Sequence, residues 1–194
     1  THADHFMTNT AYGIASYSKG AAFLNQLKYV IGKAAFDKGM LRYFHDWKFK
    51  HPNVNDFIRV MEKQSGLELD WYKEYWVNST HTIDYAIDSI MESAAAKTTI
   101  RLKRIGVMPM PIDVVVTYAN GTSEVLNIPL SIMRGSKPNE NPGQKYTVLE
   151  GWHWTHPEYT FDLPVKRADI AKVEIDPTGR MADTNKKNNF VPGD

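Results

Sequence analysis

Residues 9–27 read NTAYGIASYSKGAAFLNQL, and the second half of this stretch has the pattern of an amphipathic helix. The apolar residues at helical spacing are Tyr17, Ala21, Leu24, Leu27 and Ile31. Two phenols, Tyr12 and Tyr17, lie at the entrance to this helix and are followed by Gly20. Because a glycine inside a helix costs about 1 kcal/mol relative to alanine, Gly20 suggests that another group approaches the helix backbone closely.

The composition is that of an ordinary soluble globular chain. It has 194 residues, 42% of them hydrophobic and 23% charged, and this length suits one large domain or two small ones. The net charge of +1 gives no electrostatic reason to expect nucleic acid or a membrane surface as a partner. No apolar run reaches the roughly eighteen residues of a membrane span, and the lack of cysteine excludes disulfides. Since the chain begins at Thr1 without an initiator methionine, we expect a C-terminal fragment, with any signal peptide lying outside it.

Proline usage separates the chain into two halves. Residues 1–80 contain one of the ten prolines, whereas residues 97–194 contain the other nine. Helices avoid proline and loop-rich sheets use it at turns, so the first half is predicted to be helical. Four helices are expected: about 14–31, about 34–47, one capped by Asn53 or Asn55 that ends at Gly66, and one capped by Asp70.

The second half alternates apolar and polar residues, as half-buried strands do. Asn120-Gly121, between two such runs, is a strong signal for a β-hairpin, while residues 93–98 are expected to form a linker or turn and residues 135–145 a loop. Strands are predicted around 83–87, 100–105, 111–118, 124–132, 146–149, 159–163 and 171–175. About seven strands at this spacing predict a small antiparallel β-sandwich. The predicted fold class is therefore α+β, with a helical part over residues 1–80 and the sandwich over residues 81–194.

The segment from Tyr12 to Tyr17-Ser-Lys-Gly resembles the Tyr-x-Lys-Gly element of the gluzincin zinc aminopeptidases, the aminopeptidase N and leukotriene hydrolase family. The resemblance implies that Tyr17 lies across from a catalytic zinc ion and donates a hydrogen bond to the oxyanion formed when water attacks the peptide carbonyl. A phenol is a neutral donor at pH 7, as this role requires. Tyr12 matches a second active-site tyrosine of some members, and Asn9 stands where some relatives have aspartate.

The resemblance extends over residues 9–78. The helical part shares an ordered series with the end of the family's catalytic domain: Asn55-Asp56-Phe57, Glu62, Ser65-Gly66, Leu69, Trp71, Tyr75 and Trp76. The second half is similar to the β domain that follows the catalytic domain in some bacterial members, through Met110-Pro111, residues 118–121, Asp176-Pro177, Asp183 and Asn188-Asn189. The family implies a parent metallopeptidase that removes N-terminal residues from peptides and is periplasmic or secreted, with the β part as an accessory module.

Zinc in this family is held by a His-Glu-x-x-His helix and a further glutamate, and the glutamate of the motif activates the water. None of the seven histidines here is followed by glutamate, so the motif is absent from the sequence. The chain is therefore expected to carry the oxyanion tyrosine without the zinc ligands or the base. We expect it to bind no zinc itself and to be inactive without the missing N-terminal catalytic region.

Several of these residues have a plainer interpretation. Tyr12 and Tyr17 could simply pack the start of a helix, and Lys19 could be a solvated or locally paired charge. Residues 2–5 (HADH) resemble a metal cluster but fit a frayed terminus better. Four residues offer oxygens for calcium without the spacing of a calcium loop, so turns are favoured for them: Asp176, Asp183, Asn185 and Asn188.

Residues 152–156 (WHWTH) support a second class of function. Aromatic rings with flanking histidines could form a platform for a sugar or a peptide, or chelate a metal through His153 and His156. The favoured interpretation is that the tryptophans pack this loop onto the sandwich. The alternative function is thus a non-catalytic peptide- or carbohydrate-binding module, and an intact His-Glu-x-x-His sequence upstream in the gene would favour the enzyme instead.

Overall fold

The computed structural model describes residues 3–93 and 96–192. Its helices are α1 (Asn9–Gly13), α2 (Lys19–Ile31), α3 (Lys33–Trp47), α4 (Val54–Ser65) and α5 (Asp70–Asn78). A π turn at Ile14–Ser18 joins α1 to α2. The strands are β1 (Tyr85–Ser93), β2 (Lys97–Arg104), β3 (Ile112–Tyr118), β4 (Ser123–Ile128), β5 (Lys145–Val148), β6 (Glu158–Leu163), β7 (Ile170–Ile175) and β8 (Phe190–Pro192). None of the described helices is long and apolar enough to cross a membrane.

The first helix begins at Asn9 rather than at the predicted residue 14. Thr8 caps it, because its hydroxyl oxygen accepts a hydrogen bond from the Ala11 N–H at 3.1 Å. The predicted end is confirmed, since α2 ends at Ile31 and Gly32 leaves the helix with a φ of +83°. A Cβ added at Gly20 would meet no other atom within 4 Å. The close approach predicted at Gly20 is therefore not made by any described residue.

The caps of α4 are those predicted from the sequence, whereas the cap of α5 is not. The Asn53 side chain accepts from the Asn55 and Asp56 N–H groups, and the Asp56 carboxylate accepts from the Asn53 N–H in return. Gly66 closes α4 in the left-handed conformation. Asp70 is the first helical residue rather than the cap, and its carboxylate pairs with Lys73 at 3.0 Å within the first turn.

The strands form two sheets, ordered β1-β2-β6 and β5-β4-β3-β7-β8. All neighbours are antiparallel except β4 and β5, which run parallel because the long connection between them returns the chain to the same end of the sheet. The predicted hairpin is confirmed: Asn120 Oδ1 accepts from the Thr122 N–H at 2.9 Å, and Gly121 takes a φ of +83°. The predicted all-antiparallel arrangement is thus wrong for β5, and β8 was not predicted.

The turn predicted over residues 93–98 is shorter than expected. Ser93 pairs with Lys97, so β1 and β2 both extend into this segment, and residues 94–95 lie outside the described residues. Elsewhere the predicted strands coincide with β1 to β7 within a few residues. The helical part followed by sheets confirms the α+β class, and the predicted boundary at residue 80 lies in the connection between α5 and β1.

Buried apolar side chains from the helices and from both sheets form a single cluster. Its helical members include Leu27, Ile31 and Tyr72, and its sheet members include Ile100 and Val114. Polar contacts also join the two parts, because Gln26 Oε1 accepts from the Ala182 N–H at 2.7 Å. The C-terminal half of α2 is therefore fixed against the sheets, and the candidate site lies before its N-terminal end, on α1 and the π turn.

Candidate active-site face

Tyr17 lies in the π turn, where the chain makes one wider helical turn between α1 and α2. Its side chain is 68% exposed, and its hydroxyl forms no hydrogen bond with the described residues. π turns inside α-helices are frequent at functional sites because they re-aim a side chain. The local structure therefore presents a phenol hydroxyl outward with its donor capacity unused.

Tyr12 and Tyr17 are brought together, although residues five apart do not share one face of a regular α-helix. Their ring centroids are 5.9 Å apart with the planes at 84°, and Phe6 meets Tyr12 in the same edge-to-face manner at 6.3 Å. Tyr12 is 49% exposed, and no described residue hydrogen-bonds its hydroxyl. These three rings form the aromatic face: Phe6, Tyr12 and Tyr17.

The backbone around the aromatic face is open. Gly13 and Gly20 each leave space in which an added Cβ would contact nothing within 4 Å. Lys19, which follows the π turn, donates from Nζ to the Ser79 carbonyl at 3.2 Å, in line with a locally paired charge. This contact ties the N-terminal end of α2 to the C-terminal end of α5, so the aromatic face is held by an element that is itself anchored.

The loop at residues 152–156 follows its plainer interpretation at Trp152 but not at Trp154, which is 41% exposed. Trp152 is buried against Tyr85 and Tyr159 and donates from Nε1 to the His156 carbonyl at 2.9 Å. Its ring is therefore unavailable as a binding platform. The exposed rings of His153 and His156 contact each other with centroids 5.4 Å apart.

The candidate metal sites are not assembled in the part of the chain that the structure describes. No group of three or more His, Cys, Asp or Glu side chains there could hold a metal ion. His2, part of the first candidate cluster, lies outside the described residues. Asp183 accepts from the Asn185 N–H at 2.8 Å, which is the turn chemistry favoured from the sequence, and also from the N–H of the distant Tyr85 at 2.9 Å.

Sequence reasoning missed a polar cluster at the other end of α2. Tyr29 is 1% exposed, and its hydroxyl oxygen accepts from the Asp113 N–H at 2.8 Å. Lys137 Nζ lies 4.1 Å from the centre of its ring and pairs with the Asp113 carboxylate at 2.5 Å. Burial, reinforced by the Asp113 carboxylate, raises the pKa of Tyr29 well above its ordinary value. No sequence signal predicts this cluster, because its three members lie on three separate segments.

The helical part of the chain matches a known protein family. The peptidase family M1 domain matches residues 3–76, a range that includes the whole aromatic face. Residues 3–76 are similar to a peptidase family M1 domain, and this range is called the M1 segment. This M1 segment contains α1 to α4 and most of α5, and the match confirms the resemblance to the aminopeptidase N family stated from the sequence.

Curated relatives of the M1 segment are aminopeptidases. Aminopeptidase N of Haemophilus influenzae is 24% identical over 132 residues, which cover 61% of this chain and 15% of that protein. Glutamyl aminopeptidase of Sus scrofa is 35% identical over 63 residues, covering 32% of this chain and 7% of that protein. The chain thus spans a small part of the length of the curated relatives it matches.

A solved structure shares the fold over most of the chain. It is aminopeptidase A of Legionella pneumophila in complex with aspartic acid, with a TM-score of 0.62 and 13% identity over 90% of this chain and 18% of that one. Because the match extends well beyond residue 76, the sheets that follow the M1 segment belong to the shared fold as well. The roles of Tyr12 and Tyr17 stay predictions.

Proposed function

We propose that this chain is part of a zinc-dependent aminopeptidase and that Tyr17 stabilises the oxyanion of its tetrahedral intermediate. The observation that carries the proposal is the exposed, unbonded Tyr17 hydroxyl on a π turn inside the M1 segment. The kinship with aminopeptidases supports the reaction class, since relatives of this segment carry that name.

The chemistry assigned to Tyr17 is donation of one hydrogen bond. When water adds to the peptide carbonyl carbon, the C=O bond becomes a C–O⁻ bond and the oxygen gains negative charge. A phenol O–H placed on that oxygen binds it more tightly in the transition state than in the bound substrate, so the barrier falls. One such donor typically contributes about 2.7–4 kcal/mol, or 10²–10³ in rate.

In this proposal, the zinc ligands and the base that activates the water belong to the part of the parent protein outside this chain. The described residues contain no cluster suited to a metal, and the sequence contains no His-Glu-x-x-His motif. The donor role therefore rests with this chain, and metal chemistry rests with residues elsewhere in the parent protein. We infer that the chain alone does not hydrolyse peptides.

Replacing one hydroxyl in the parent protein tests the role of Tyr17. Tyr17→Phe should lower kcat on a chromogenic aminoacyl substrate by about 10²–10³ and leave KM nearly unchanged, because the lost bond forms mainly in the transition state. Tyr12→Phe should lower kcat less, since it keeps the ring that packs on Tyr17. Tyr43→Phe, which removes a hydroxyl from α3, is the matched control and should be without effect.

Two results would contradict the proposal. Wild-type kcat in Tyr17→Phe would remove the oxyanion role. Turnover by the 194-residue chain on its own, assayed with and without a zinc chelator beside the parent protein, would show that the chain does not depend on residues elsewhere. Chelator-sensitive turnover in the parent and none in the chain is the expected pair of results.

A further inference from the structure

A pocket of about 280 Å³ lies on the outer face of the five-stranded sheet and includes no residue of the aromatic face. Its floor is formed by Val115, Val125 and Tyr146, which are aligned in register across β3, β4 and β5 and therefore share one face of the sheet. All three side chains are half-buried. The floor thus offers aliphatic carbon and one aromatic ring to a small ligand.

The charges that line this pocket do not balance. Two of its three carboxylates have their own cation: Asp113 pairs with Lys137 at 2.5 Å, and Glu140 pairs with Arg180 at 2.7 Å. The third carboxylate, Asp176, has no Lys, Arg or His within ion-pair distance among the described residues. The lining thus has three carboxylates but only two cations, Lys137 and Arg180, and the unpaired carboxylate is Asp176.

Asp176 is buried, with 7% of its surface exposed. Its oxygens accept from the Thr178 hydroxyl and, at 2.6 Å, from the Met181 N–H, but neither donor carries a charge. Burial raises the pKa of the Asp176 carboxyl, while the hydrogen bonds from Thr178 and Met181 and the nearby charge of Arg180 act in the opposite direction. Asp176 therefore lines the pocket as a carboxyl group without an ion-pair partner among the described residues.

A second buried acceptor lies beside the pocket wall. Asn127 donates from Nδ2 to Asp113 Oδ1 at 2.8 Å, while its own Oδ1 is buried and accepts no hydrogen bond from the described residues. Asn127 is on the same face of β4 as Val125, two residues away. The Asn127 Oδ1 atom could accept a hydrogen bond from a ligand. The Asp176 carboxyl could accept one as well and could also pair with a positive charge.

We infer that this pocket binds a small ligand that carries a primary ammonium group on a short aliphatic body. The ammonium supplies Asp176 with its missing cation and has further N–H groups for nearby acceptors. The aliphatic body lies on Val115, Val125 and the ring of Tyr146, where burial of apolar surface favours it. This binding function is separate from the proposed peptidase reaction and requires neither Tyr17 nor a metal.

The cations of the pocket decide whether the ligand also carries a carboxylate. Arg180 donates from Nη1 and Nη2 to Glu140 and from Nε to Thr178, which leaves one N–H on each terminal nitrogen without a partner in the described chain. A ligand carboxylate could accept from those two groups. A free aliphatic amino acid and a simple aliphatic amine therefore share the ammonium chemistry and differ only at Arg180.

Calorimetric titration of the 194-residue chain at pH 7 tests the inference. The probes are isobutylammonium, isobutanol and isovalerate, which have similar bodies and differ in charge. Isobutylammonium should bind saturably, and the neutral and anionic probes at least tenfold more weakly. Leucine should bind at least as well as isobutylammonium, and a higher affinity for leucine would support the amino-acid form of the same ligand. No saturable binding of isobutylammonium or leucine, or equal binding of isovalerate, would overturn the inference.

Two variants locate the binding. Asp176→Asn should lower the affinity for isobutylammonium at least tenfold, because asparagine tolerates the positive φ of this position but brings no charge. Asp169→Asn, an exposed carboxylate outside the pocket, is the matched control and should leave the affinity unchanged. If Asp176→Asn does not unfold cooperatively, Val125→Phe, which fills the floor, carries the test. Unchanged affinity in a folded Asp176→Asn or Val125→Phe would overturn the inference, whatever the outcome for Tyr17.

Discussion

Tyr17 and Tyr29 lie near the two ends of one helical segment and differ in almost every physical respect. Tyr17 is exposed and its hydroxyl has no partner in the described chain, whereas Tyr29 is buried, accepts from the Asp113 N–H and has Lys137 over its ring. The end at Tyr29 is thus packed against the sheets, and the end at Tyr17 exposes a hydroxyl group that forms no hydrogen bond with the described residues. The same side chain serves stability at one end and, in our proposal, catalysis at the other.

The difference shows how a reactive group is kept available. α1 and the π turn bury no residue, so they contribute little packing energy of their own. They cannot by themselves keep the segment that carries Tyr17 helical. The buried end supplies the stability instead, through Leu27, Ile31 and the polar cluster around Tyr29. Function and stability are therefore separable along this segment. Substitutions near Tyr29 should lower the free energy of unfolding, whereas substitution of Tyr17 should lower activity and leave the stability nearly unchanged.

The largest effect is expected at the buried ion pair below Tyr29. Lys137→Met should lower the free energy of unfolding by about 3–5 kcal/mol, because it leaves the Asp113 carboxylate buried without its cation. Chemical denaturation of the chain measures this loss. Lys33→Met, which breaks an exposed pair with Asp37, is the control and should cost no more than about 0.5 kcal/mol. Equal effects of the two variants would show that the buried end is not the stabilising one.

A smaller effect is expected when each tyrosine loses only its hydroxyl. Tyr29→Phe should cost about 1–3 kcal/mol, because it leaves the buried Asp113 N–H without an acceptor. Tyr17→Phe should change the stability by no more than about 0.5 kcal/mol, since its hydroxyl bonds nothing in the described chain. Thermal or denaturant unfolding of both variants gives the comparison directly. A Tyr17→Phe variant as unstable as Tyr29→Phe would contradict it.

The smallest effects are expected at the helix caps. Asn53→Ala should cost about 1 kcal/mol, because α4 loses a capping box and packs buried residues that unfold with the core. Thr8→Ala should cost about 0.5 kcal/mol or less, because α1 buries nothing and can fray without disturbing the core. Amide hydrogen exchange checks the same point, since α1 should exchange faster than α4. Slow exchange in α1 would mean that the exposed end is coupled to the core.

Local signals account for what the sequence predicts well. The cap at Asn53, the left-handed Gly66 and the Asn120-Gly121 turn are set by residues within a few positions of one another, and all three are present in the structure. The parallel pairing of β4 with β5 depends on where a long loop returns, and no local pattern encodes that. β8 is three residues long and includes a proline, so its alternation is too short to detect.

The candidate sites divide in the same way. Tyr12 and Tyr17 could be found because their spacing and the following Lys19-Gly20 form a local motif, but the π turn that exposes Tyr17 could not be foreseen. The clusters around Tyr29 and Asp176 escaped because their partners are distant in sequence. From the sequence, Asp176 is a possible calcium ligand for which a turn is favoured, and its missing counter-ion becomes visible only when the surrounding segments are in place.

The central claim is that Tyr17 binds the oxyanion, and affinity for a stable mimic of that oxyanion tests it most directly. The measurement is the inhibition constant of a phosphinic peptide, whose tetrahedral phosphinate replaces the scissile carbonyl, for the parent protein and its Tyr17→Phe variant. We expect the variant to bind the inhibitor about 10²–10³-fold more weakly, parallel to its loss of kcat/KM, with KM for the substrate nearly unchanged. Equal inhibition of both proteins would contradict the claim.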